Sequence, residues 1–395
     1  MKKMLFWLIA VVALTGCGSK NSVDKLPVLD LTNPNFASDR VEISDEIKSI
    51  EYVPLELTDE SLIAEILDLA VSDDYVFIYS TRQDGILQFD RKGHFVRSVA
   101  KTGNGPGETA QIVSLSVDDE NRLLCVSEFF STSFYSFDGE FIKKVNTLRP
   151  YLWQYCIGPN TMAEMGRESI PMDTPGIFSL GVFNLATDDT VAIRQTVGNM
   201  DLLPLKETLL GEWSFNGGTS GMLCYSAGID TVWNLGMDGI HPAFRIDFGF
   251  SADEQKMVRS EPGAIVDGKY WISRFFETPR RYIVKCFEAD NQSQFHLFSL
   301  DKETGAVCHE KSSIDAMELF KHNRILTGIG IHNETDGGLP VWPYYSYPGK
   351  KLMVQLNTAV EIEYLKEKYP ELKQHPVLQK ITEDSNPLVT IYHLR

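Results

Sequence analysis

The sequence predicts an all-β protein, a six-bladed β-propeller with four-stranded blades, and three observations support this fold class. First, short apolar strands bounded by Gly, Asp and Asn recur along the chain, whereas helical periodicity is almost absent before residue 358. Second, one unit repeats, in which an alternating strand, a turn of Asp and Gly and another alternating strand follow one another. Third, the aromatic residue of this unit recurs 48, 46, 50 and 65 residues apart, at Phe89, Phe137, Phe183, Trp233 and Phe298. Because a four-stranded blade takes about 40 to 50 residues, this spacing indicates a propeller.

The two ends of the chain are predicted to share the last blade. If the five aromatic residues mark third strands, Leu388–Leu394 supplies the third strand of a sixth blade. A fourth strand for that blade is missing downstream, while the strand-like segment Ile47–Leu55 precedes the first blade. We therefore predict that this N-terminal strand closes the ring, which removes an exposed sheet edge. Seven blades is the alternative count.

Two interruptions of the repeat are expected to be short helical insertions. Residues 251–259 begin with Ser-Ala-Asp-Glu, which is typical of a capped helix start, between the fourth and fifth blades. Residues 358–386 have apolar positions at helical spacing and are expected between the second and third strands of blade six.

The N-terminus has the pattern of a lipoprotein signal peptide. Lys2 and Lys3 precede an apolar run too short to span a bilayer, and the Leu-Thr-Gly-Cys that follows resembles a lipobox. This resemblance implies that residues 1–16 are removed and that Cys17 is lipidated, which would anchor the chain to a membrane. Gly18, with no acidic cluster after it, favours an outer-membrane lipoprotein of the cell envelope on the periplasmic side rather than the cell surface.

The remaining chain divides into a tether and one domain. Residues 17–45 are polar and contain several Asn, Asp, Ser and Pro residues, which is typical of a flexible tether. Residues 46–395 are predicted to form the propeller.

The charge of the chain excludes some classes of partner. Residues 1–16 contain two lysines and no acidic residue, so their removal moves the formal net charge from −17 to −19. A surface this acidic repels nucleic-acid phosphates and anionic lipid head groups. We therefore expect no nucleic-acid partner, and membrane contact through the lipid anchor alone.

The motifs predict no catalytic residue, no metal site and no cofactor. The cysteines other than Cys17 have irregular spacing and form no C-x-x-C, which indicates neither a zinc site nor a disulfide framework. The 8 histidines form no metal-binding motif, and no G-x-S-x-G motif is present. We interpret Asp118–Asn121 as a hairpin turn rather than a calcium loop, and Arg280–Arg281 as a solvated turn.

The Gly-Asn-Gly-Pro-Gly-Glu run ending at Glu108 is interpreted as an inter-blade turn. No Lys-Ser/Thr pair follows it and no helix begins there, so it lacks the parts of a phosphate-binding loop. In a turn, Gly103, Gly105 and Gly107 are expected to adopt positive φ, and Pro106 supplies a fixed φ. Glu108 is kept as a candidate ligand contact.

Several segments together resemble the six-bladed β-propeller lipoproteins of Bacteroidetes, a family of unassigned function with NHL-like propellers. The resemblance runs from about residue 41 to the end, and it is carried by Val53–Ile63, Gly103–Glu108, Phe275–Arg280, Asp336–Pro340 and Asn386–Val389. This resemblance implies the propeller fold and a location in the cell envelope, and it implies no catalysed reaction.

One face of the predicted propeller is the best candidate for ligand binding. Loops from a fourth strand to the next first strand, and from a second strand to a third, emerge on one face with both insertions. We call this the insertion face. Aromatic and Arg side chains on it suit peptide or glycan ligands. Its candidate ligand-binding residues are Arg82, Glu108, Glu128, Trp153, Arg167, Trp213 and His322.

From these observations we expect a membrane-anchored binding or scaffolding protein that recognises a peptide, a glycan or a partner protein, rather than an enzyme. The alternative is an NHL-like or lactonase-like hydrolase or lyase, with a metal held in the channel by ligands from several blades. Three or more Asp, Glu, Asn or His side chains converging at the channel mouth would favour this alternative.

Overall fold

Six small sheets form a ring, which confirms the predicted six-bladed propeller. Each sheet contains four antiparallel strands, which follow chain order in five sheets, whereas the sixth takes its outer strand from the N-terminal part of the chain. One sheet has a fifth strand added in parallel. The computed structural model describes residues 26–32, 39–81, 83–146, 151–167, 178–185, 193–195, 213–226, 230–260, 266–288, 291–311, 330–343, 345–347 and 350–395.

Two N-terminal strands, β1 (Val28–Asp30) and β2 (Ile47–Pro54), precede the blades. The first three blades then take consecutive segments of the chain. Blade one contains β3 (Ile66–Val71), β4 (Tyr75–Ser80), β5 (Ile86–Asp90) and β6 (Phe95–Val99). Blade two contains β7 (Ile112–Asp118), β8 (Leu123–Glu128), β9 (Ser131–Ser136) and β10 (Phe141–Asn146). Blade three contains β11 (Tyr151–Gly158), β12 (Thr161–Arg167), β13 (Phe178–Asn184) and β14 (Ile193–Gln195).

The other three blades follow the same order from the inner to the outer strand. Blade four contains β15 (Trp213–Gly217), β16 (Gly221–Ser226), β17 (Thr231–Gly236) and β18 (Gly239–Asp247). Blade five contains β19 (Tyr270–Glu277), β20 (Arg281–Glu288), β21 (Asn291–Asp301) and β22 (Val307–Lys311). Blade six contains β23 (Tyr345–Tyr347), β24 (Leu352–Asn357), β25 (Leu388–Leu394) and, as its outer strand, β2.

The ring closes as the sequence predicts, because β2 pairs antiparallel with β25. The register runs from Ile47 opposite Leu394 to Pro54 opposite Leu388. This pairing places an N-terminal strand in the last blade and completes its outer edge.

A buried side chain fastens the same closure beside the strands. Asn386, just before β25, accepts a hydrogen bond from the N–H of Ile63 at 3.0 Å. Its amide group donates to the carbonyls of Glu56 and Ser61, each at 2.8 Å. Because these three partners lie in the segment leading from β2 into blade one, Asn386 ties blade six to the start of the ring.

The N-terminal segment is attached more closely than the sequence predicts. Residues 26–45 are expected to belong to a flexible tether, but β1 pairs in parallel with β18 of blade four, and Leu29 is fully buried. Further along, the N–H of Asp39 donates to the carbonyl of His309 in blade five, and Val41 is fully buried. The composition is misleading here because a few apolar residues, separated by polar ones, are enough to fill seams along the outer strands.

The hydrophobic core is distributed between the blades rather than gathered in one centre. The stacked rings of Phe244 and Tyr282, with centroids 4.4 Å apart, join blades four and five. Phe77 and Phe137, with centroids 5.4 Å apart, join blades one and two. Each such buried aromatic side chain contributes about 1.5 to 3 kcal/mol to stability. Of the aromatic residues that mark the repeat, Phe89, Phe137 and Phe298 lie in buried clusters between blades.

Both predicted helical insertions are present. Helix α1 (Ala252–Ser260) lies between blades four and five. At its start, Ser251 and Glu254 each accept a hydrogen bond from the other's backbone N–H, which forms a capping box.

Helix α2 (Ala359–Lys368) lies between β24 and β25 and begins with a capping box of Thr358 and Glu361. Its buried residues Ile362 and Leu365 pack in an apolar cluster outside the inter-blade seams. Among the described residues, no helix is both long and apolar enough to cross a membrane. Short 3-10 helices cover Ser44–Glu46, Pro370–Gln374 and Leu378–Lys380.

Polar contacts join the turns between first and second strands of successive blades. Asp118 in blade two accepts a hydrogen bond from the N–H of Asn160 in blade three at 2.8 Å. Lys350 in blade six pairs with Asp73 in blade one, at 3.2 Å, and with Asp119 in blade two. Asp118–Asn121, which the sequence predicts to be a hairpin turn, does form the turn between β7 and β8. It also holds neighbouring blades together.

The Arg280–Arg281 turn is not simply solvated, in contrast to the sequence prediction. Arg281 pairs with Asp45 at 2.9 Å and with Glu46 at 2.6 Å. The Glu46 carboxylate is buried and also accepts a hydrogen bond from the hydroxyl of Thr278 at 2.9 Å. These contacts fasten the chain to blade five immediately before β2, so the turn helps to position the closing strand.

We predict that Glu46→Gln lowers the free energy of unfolding by about 3 kcal/mol, because it removes the buried counter-charge of Arg281. Asp45→Asn is the matched control. Asp45 pairs with the same guanidinium, but its side chain is 47% exposed. Its loss should therefore cost less than about 1 kcal/mol. Denaturant unfolding followed by tryptophan fluorescence measures both values, and equal losses would contradict the role given to Glu46.

Asp68, in the inner strand of blade one, holds blade two through a buried carboxyl group. It accepts hydrogen bonds from the N–H of Leu115 on β7 at 2.7 Å and from the N–H of Leu69 at 2.8 Å. Burial raises the pKa of Asp68 to about 7, against the hydrogen bonds from these two amides and from Tyr345, which favour the ionised form.

This pKa predicts a pH-dependent contribution to stability. Because the ordinary pKa is 3.8, the folded chain holds the proton that the unfolded chain releases between roughly pH 4 and pH 7. Stability is therefore lost as pH rises through this window, by up to about 1.4 kcal/mol per pH unit. Asp68→Asn lacks this loss, so the stability advantage of the wild type over the variant should shrink from pH 4 to pH 7. Urea unfolding across the window measures the advantage, and a constant value would refute the prediction.

Candidate functional site

Four inner strands place polar and aromatic side chains at the central channel. They contribute Asp68 from β3, Tyr155 from β11, Arg274 from β19, and Tyr345 and Tyr347 from β23. The first strand of each blade lies nearest the propeller axis, so these residues meet around it. Their charges are close enough to influence one another's ionisation. We call these five residues the channel cluster.

The three tyrosines of the channel cluster are protonated hydroxyl groups at neutral pH. Burial raises the pKa of all three, and the nearby charge of Asp68 raises it further. The hydroxyl of Tyr345 donates to Asp68, while the hydroxyl of Tyr347 accepts a hydrogen bond from the N–H of Val71 at 2.9 Å. All three residues are half-buried.

A second cation lies beside the channel cluster. Lys285 on β20 is directly opposite Arg274 on β19, so the two side chains share one face of blade five. The ammonium of Lys285 lies over the rings of Phe295 and Trp342, 4.8 and 5.1 Å from their centroids. Burial, followed by the charge of Arg274, lowers the pKa of Lys285 to about 7.

The channel cluster and Lys285 combine hydroxyl groups, cations, ring faces and a titratable carboxyl group in one largely buried site. Ligand pockets typically have aromatic and apolar walls with a few convergent polar groups. Shifted pKa values at such a place are typical of functional sites. The arrangement can bind and orient a small polar group through hydrogen bonds and charge.

The opposite face, formed by turns between first and second strands, carries a cleft of about 630 Å³. Its charges neutralise one another, because Arg91 pairs with Glu51 at 2.5 Å and Lys350 pairs with Asp73 at 3.2 Å. The cleft lies over the seam between blades six and one, so we interpret its ion pairs as part of ring closure. It is lined by Glu51, Asp73, Arg91, Lys350, Leu352 and His393.

The structure brings together two of the predicted ligand-binding residues, Glu108 and Glu128, around Tyr135 in blade two. Glu128 is only 7% exposed, accepts a hydrogen bond from the N–H of Ala110 at 2.9 Å and pairs with Lys144 at 2.5 Å. Burial opposes ionisation of Glu128, but these hydrogen bonds outweigh it and lower its pKa. Both carboxylates already hold local structure, and their contact with a ligand stays a prediction.

The other predicted residues are less fully described. Trp153 is half-buried near the start of β11 and packs on the apolar seam between blades three and four. Arg167 and Trp213 stand at the ends of β12 and β15, but their side chains lie outside the described part of the chain. Arg82 and His322 lie outside the described residues altogether. The binding roles of all five stay predictions.

The glycines of the loop between β6 and β7 serve two different needs. Gly107 has a φ of +74°, in the left-handed region that favours glycine. Gly103 and Gly105 do not have the expected positive φ. A Cβ at either position would collide with the carboxylate of Glu108, which accepts a hydrogen bond from the N–H of Gly105 at 2.8 Å. Glu108 therefore closes the loop from inside, and the two glycines make room for it.

No motif in the sequence points to the channel cluster or to Lys285. Asp68 and Lys285 were detectable, because each is a charged residue inside a strand of buried apolar residues, where a charge needs a partner or a function. The tyrosines gave no such signal, because aromatic residues are common in any strand.

Within the described ranges, no group of three or more His, Cys, Asp or Glu side chains is placed to hold a metal ion. A convergence of these four residue types, which would favour the hydrolase or lyase alternative, is therefore not found in this part of the chain.

Comparisons with known proteins agree with this fold. A solved structure of a protein described as exported, from Bacteroides fragilis, covers 94% of this chain and 100% of its own, with a TM-score of 0.61 at 12% identity. A member of the DUF4221 family from Bacteroides vulgatus covers 67% of this chain and 86% of its own, with a TM-score of 0.43 at 11% identity. At such identities the likeness to the first structure shows the fold alone. No curated protein matches the chain.

A family model, the domain of unknown function DUF4934, matches residues 26–393. The match begins at the segment that carries β1 and ends in β25, so it includes both closing strands and all six blades. The chain therefore belongs to the DUF4934 family.

Proposed function

We propose that this chain is a lipid-anchored recognition protein of the cell envelope, which binds a peptide, a glycan or a partner protein at the insertion face and the channel beneath it. The observation that carries the proposal is the channel cluster, in which residues from four inner strands surround a buried, titratable carboxyl group. A centre with a purely structural role would be served better by apolar residues, because buried charged and hydroxyl groups cost free energy.

The proposed anchor is Cys17, carrying acyl chains on the periplasmic side of the outer membrane. The similarity to a protein described as exported supports this location in the cell envelope. An extended chain from Cys17 to Leu26 spans at most about 30 Å. Because the chain joins blade four from there onwards, the propeller would be held close to the membrane surface rather than on a long tether.

The net charge, −17 for the whole chain and −19 without residues 1–16, limits the proposed partners. It disfavours nucleic acids and anionic surfaces, which a chain of this charge repels. Peptides, glycans and protein partners remain, provided that they reach the channel through the loops of the insertion face.

The recognition role is tested by a thermal-shift screen of the purified chain against glycan and peptide libraries. Tyr155→Phe removes one hydroxyl from the channel cluster, and we predict about tenfold weaker binding of a hit, the loss of one good hydrogen bond. His94→Ala is the control, because His94 is 65% exposed on the opposite face. Arg167→Ala and Trp213→Ala should also weaken binding without lowering the melting temperature.

Three outcomes would count against recognition at this site: no hit at all, binding that Tyr155→Phe leaves unchanged, or an equal loss in His94→Ala. Elemental analysis of the same preparation addresses the enzyme alternative. A stoichiometric metal would support the hydrolase or lyase instead.

The anchor is tested separately by Cys17→Ser. We predict that the wild type sediments with membranes and becomes labelled by a radioactive fatty acid, whereas the variant stays in the soluble fraction, because several acyl chains are needed for durable anchoring. Sedimentation of the variant with membranes to the same extent would overturn the proposed anchor.

A further inference from the structure

Two cations stand side by side where blades five and six meet the channel. Lys285 is only 8% exposed, and Arg274, directly opposite it on the neighbouring strand, is half-buried. On the same face Trp342, from the loop before β23, contacts Lys285 with its ring. The pair is therefore enclosed by blade five on one side and by residues of blade six on the other.

Holding two like charges together in a buried seam is unfavourable, and the structure offers little compensation for Lys285. Among the described residues, its ammonium contacts the ring faces of Phe295 and Trp342. Ring faces attract a cation but do not neutralise it. The repulsion from Arg274 adds to the cost of burial. An anion placed between the two cations would remove this repulsion.

The other charged and titratable groups around the pair limit which anion fits. The channel cluster contributes the Asp68 carboxyl group and the hydroxyls of Tyr155 and Tyr345, whose ionisation Arg274 also influences. On the same face of blade five, Glu310 lies two strands further out and accepts a hydrogen bond from the N–H of Val41 at 2.9 Å. With one carboxyl group already in the channel, a monoanion meets less repulsion than a dianion.

We propose that the channel binds a carboxylate group of its ligand between Arg274 and Lys285. The inference rests on the proposed function, because it names the chemical class recognised in the same channel. A carboxylate is planar and singly charged, and its two oxygens match the paired N–H groups of a guanidinium. Such groups occur in acidic sugars and at peptide C-termini, both within the proposed ligand classes.

Acetate is the simplest probe, and acetamide is its neutral counterpart. The melting temperature of the full chain is measured with increasing acetate or acetamide at constant ionic strength, from pH 6 to pH 9. Acetate should raise the melting temperature to a plateau and acetamide should not, because only the anion relieves the repulsion. The effect should decline above about pH 7, where Lys285 loses its proton. Equal effects of acetate and acetamide would overturn the proposal.

Variants link this effect to the cation pair. Lys285→Met keeps an unbranched apolar chain between the rings, and it should abolish the response to acetate. Lys143→Met is the matched control, because Lys143 also lies over a ring, 5.2 Å from the centroid of Phe134, but on the outer strand of blade two. If Lys285→Met fails to fold, Arg274→Lys replaces it, since that change keeps the charge and removes the paired donors. A response to acetate that survives in the folded variant contradicts the assignment.

Two further probes distinguish the sources of the carboxylate. Galacturonate is compared with its methyl ester, and N-acetylglycine with its amide. In one of these two comparisons the acid should bind about tenfold more tightly than its neutral partner, as expected for one charge-assisted hydrogen-bonded pair. No preference for the acid in either arm overturns the proposal.

The failure of this inference is distinguishable from the failure of the recognition role. A screening hit that depends on Tyr155 but shows no preference for an acid refutes the carboxylate site and leaves recognition standing. Binding that neither Tyr155→Phe nor Lys285→Met weakens refutes both.

Discussion

The pairing of β2 with β25 is the contact on which this fold depends most, because blades bury their faces only against one another and the ring must close. Seven residue pairs join the strands. The segments are about 340 residues apart in sequence, so bringing them together costs roughly 5 kcal/mol of chain entropy. The ladder therefore works together with side chains at its ends, namely Asn386 beside blade one and the ion pairs of Glu46 on blade five.

Closure also explains why the N-terminal segment runs along the outside of the ring. On its way to blade six the chain passes blades four and five, where β1 extends one sheet and Val41 fills a seam. Each contact shortens the free chain before β2 and so reduces the entropy lost on pairing. The same contacts leave a shorter free chain between Cys17 and the propeller. In the proposed arrangement, the contacts that support ring closure therefore also keep the propeller close to the membrane.

Much of the fold could be predicted from the sequence because it follows from local, repeated chemistry. Phe89, Phe137 and Phe298 recur at blade spacing since each packs one sheet on the next. Alternation and turn residues alone are enough to identify a strand. The ion pairs of Arg281 and the burial of Leu29 could not be predicted, because they depend on contacts with segments far away in sequence. The candidate site was missed for the same reason. Residues such as Tyr155 and Arg274 acquire meaning only when the ring places them around one axis.

The closed ring thus fixes the channel, and the channel cluster depends on that rigidity: Asp68, Arg274 and their neighbours come from strands that share no hydrogen-bond ladder. Native-state hydrogen exchange tests this dependence most directly. If closure makes the ring one cooperative unit, the amides of Glu51 and Val53, whose N–H groups face β25, should exchange only through global unfolding. They should show the same free energy and denaturant dependence as amides of β3 and β19. Exchange of the β2 amides at a clearly lower free energy, while the inner strands stay protected, would show that the blades hold together without closure and would contradict the central claim.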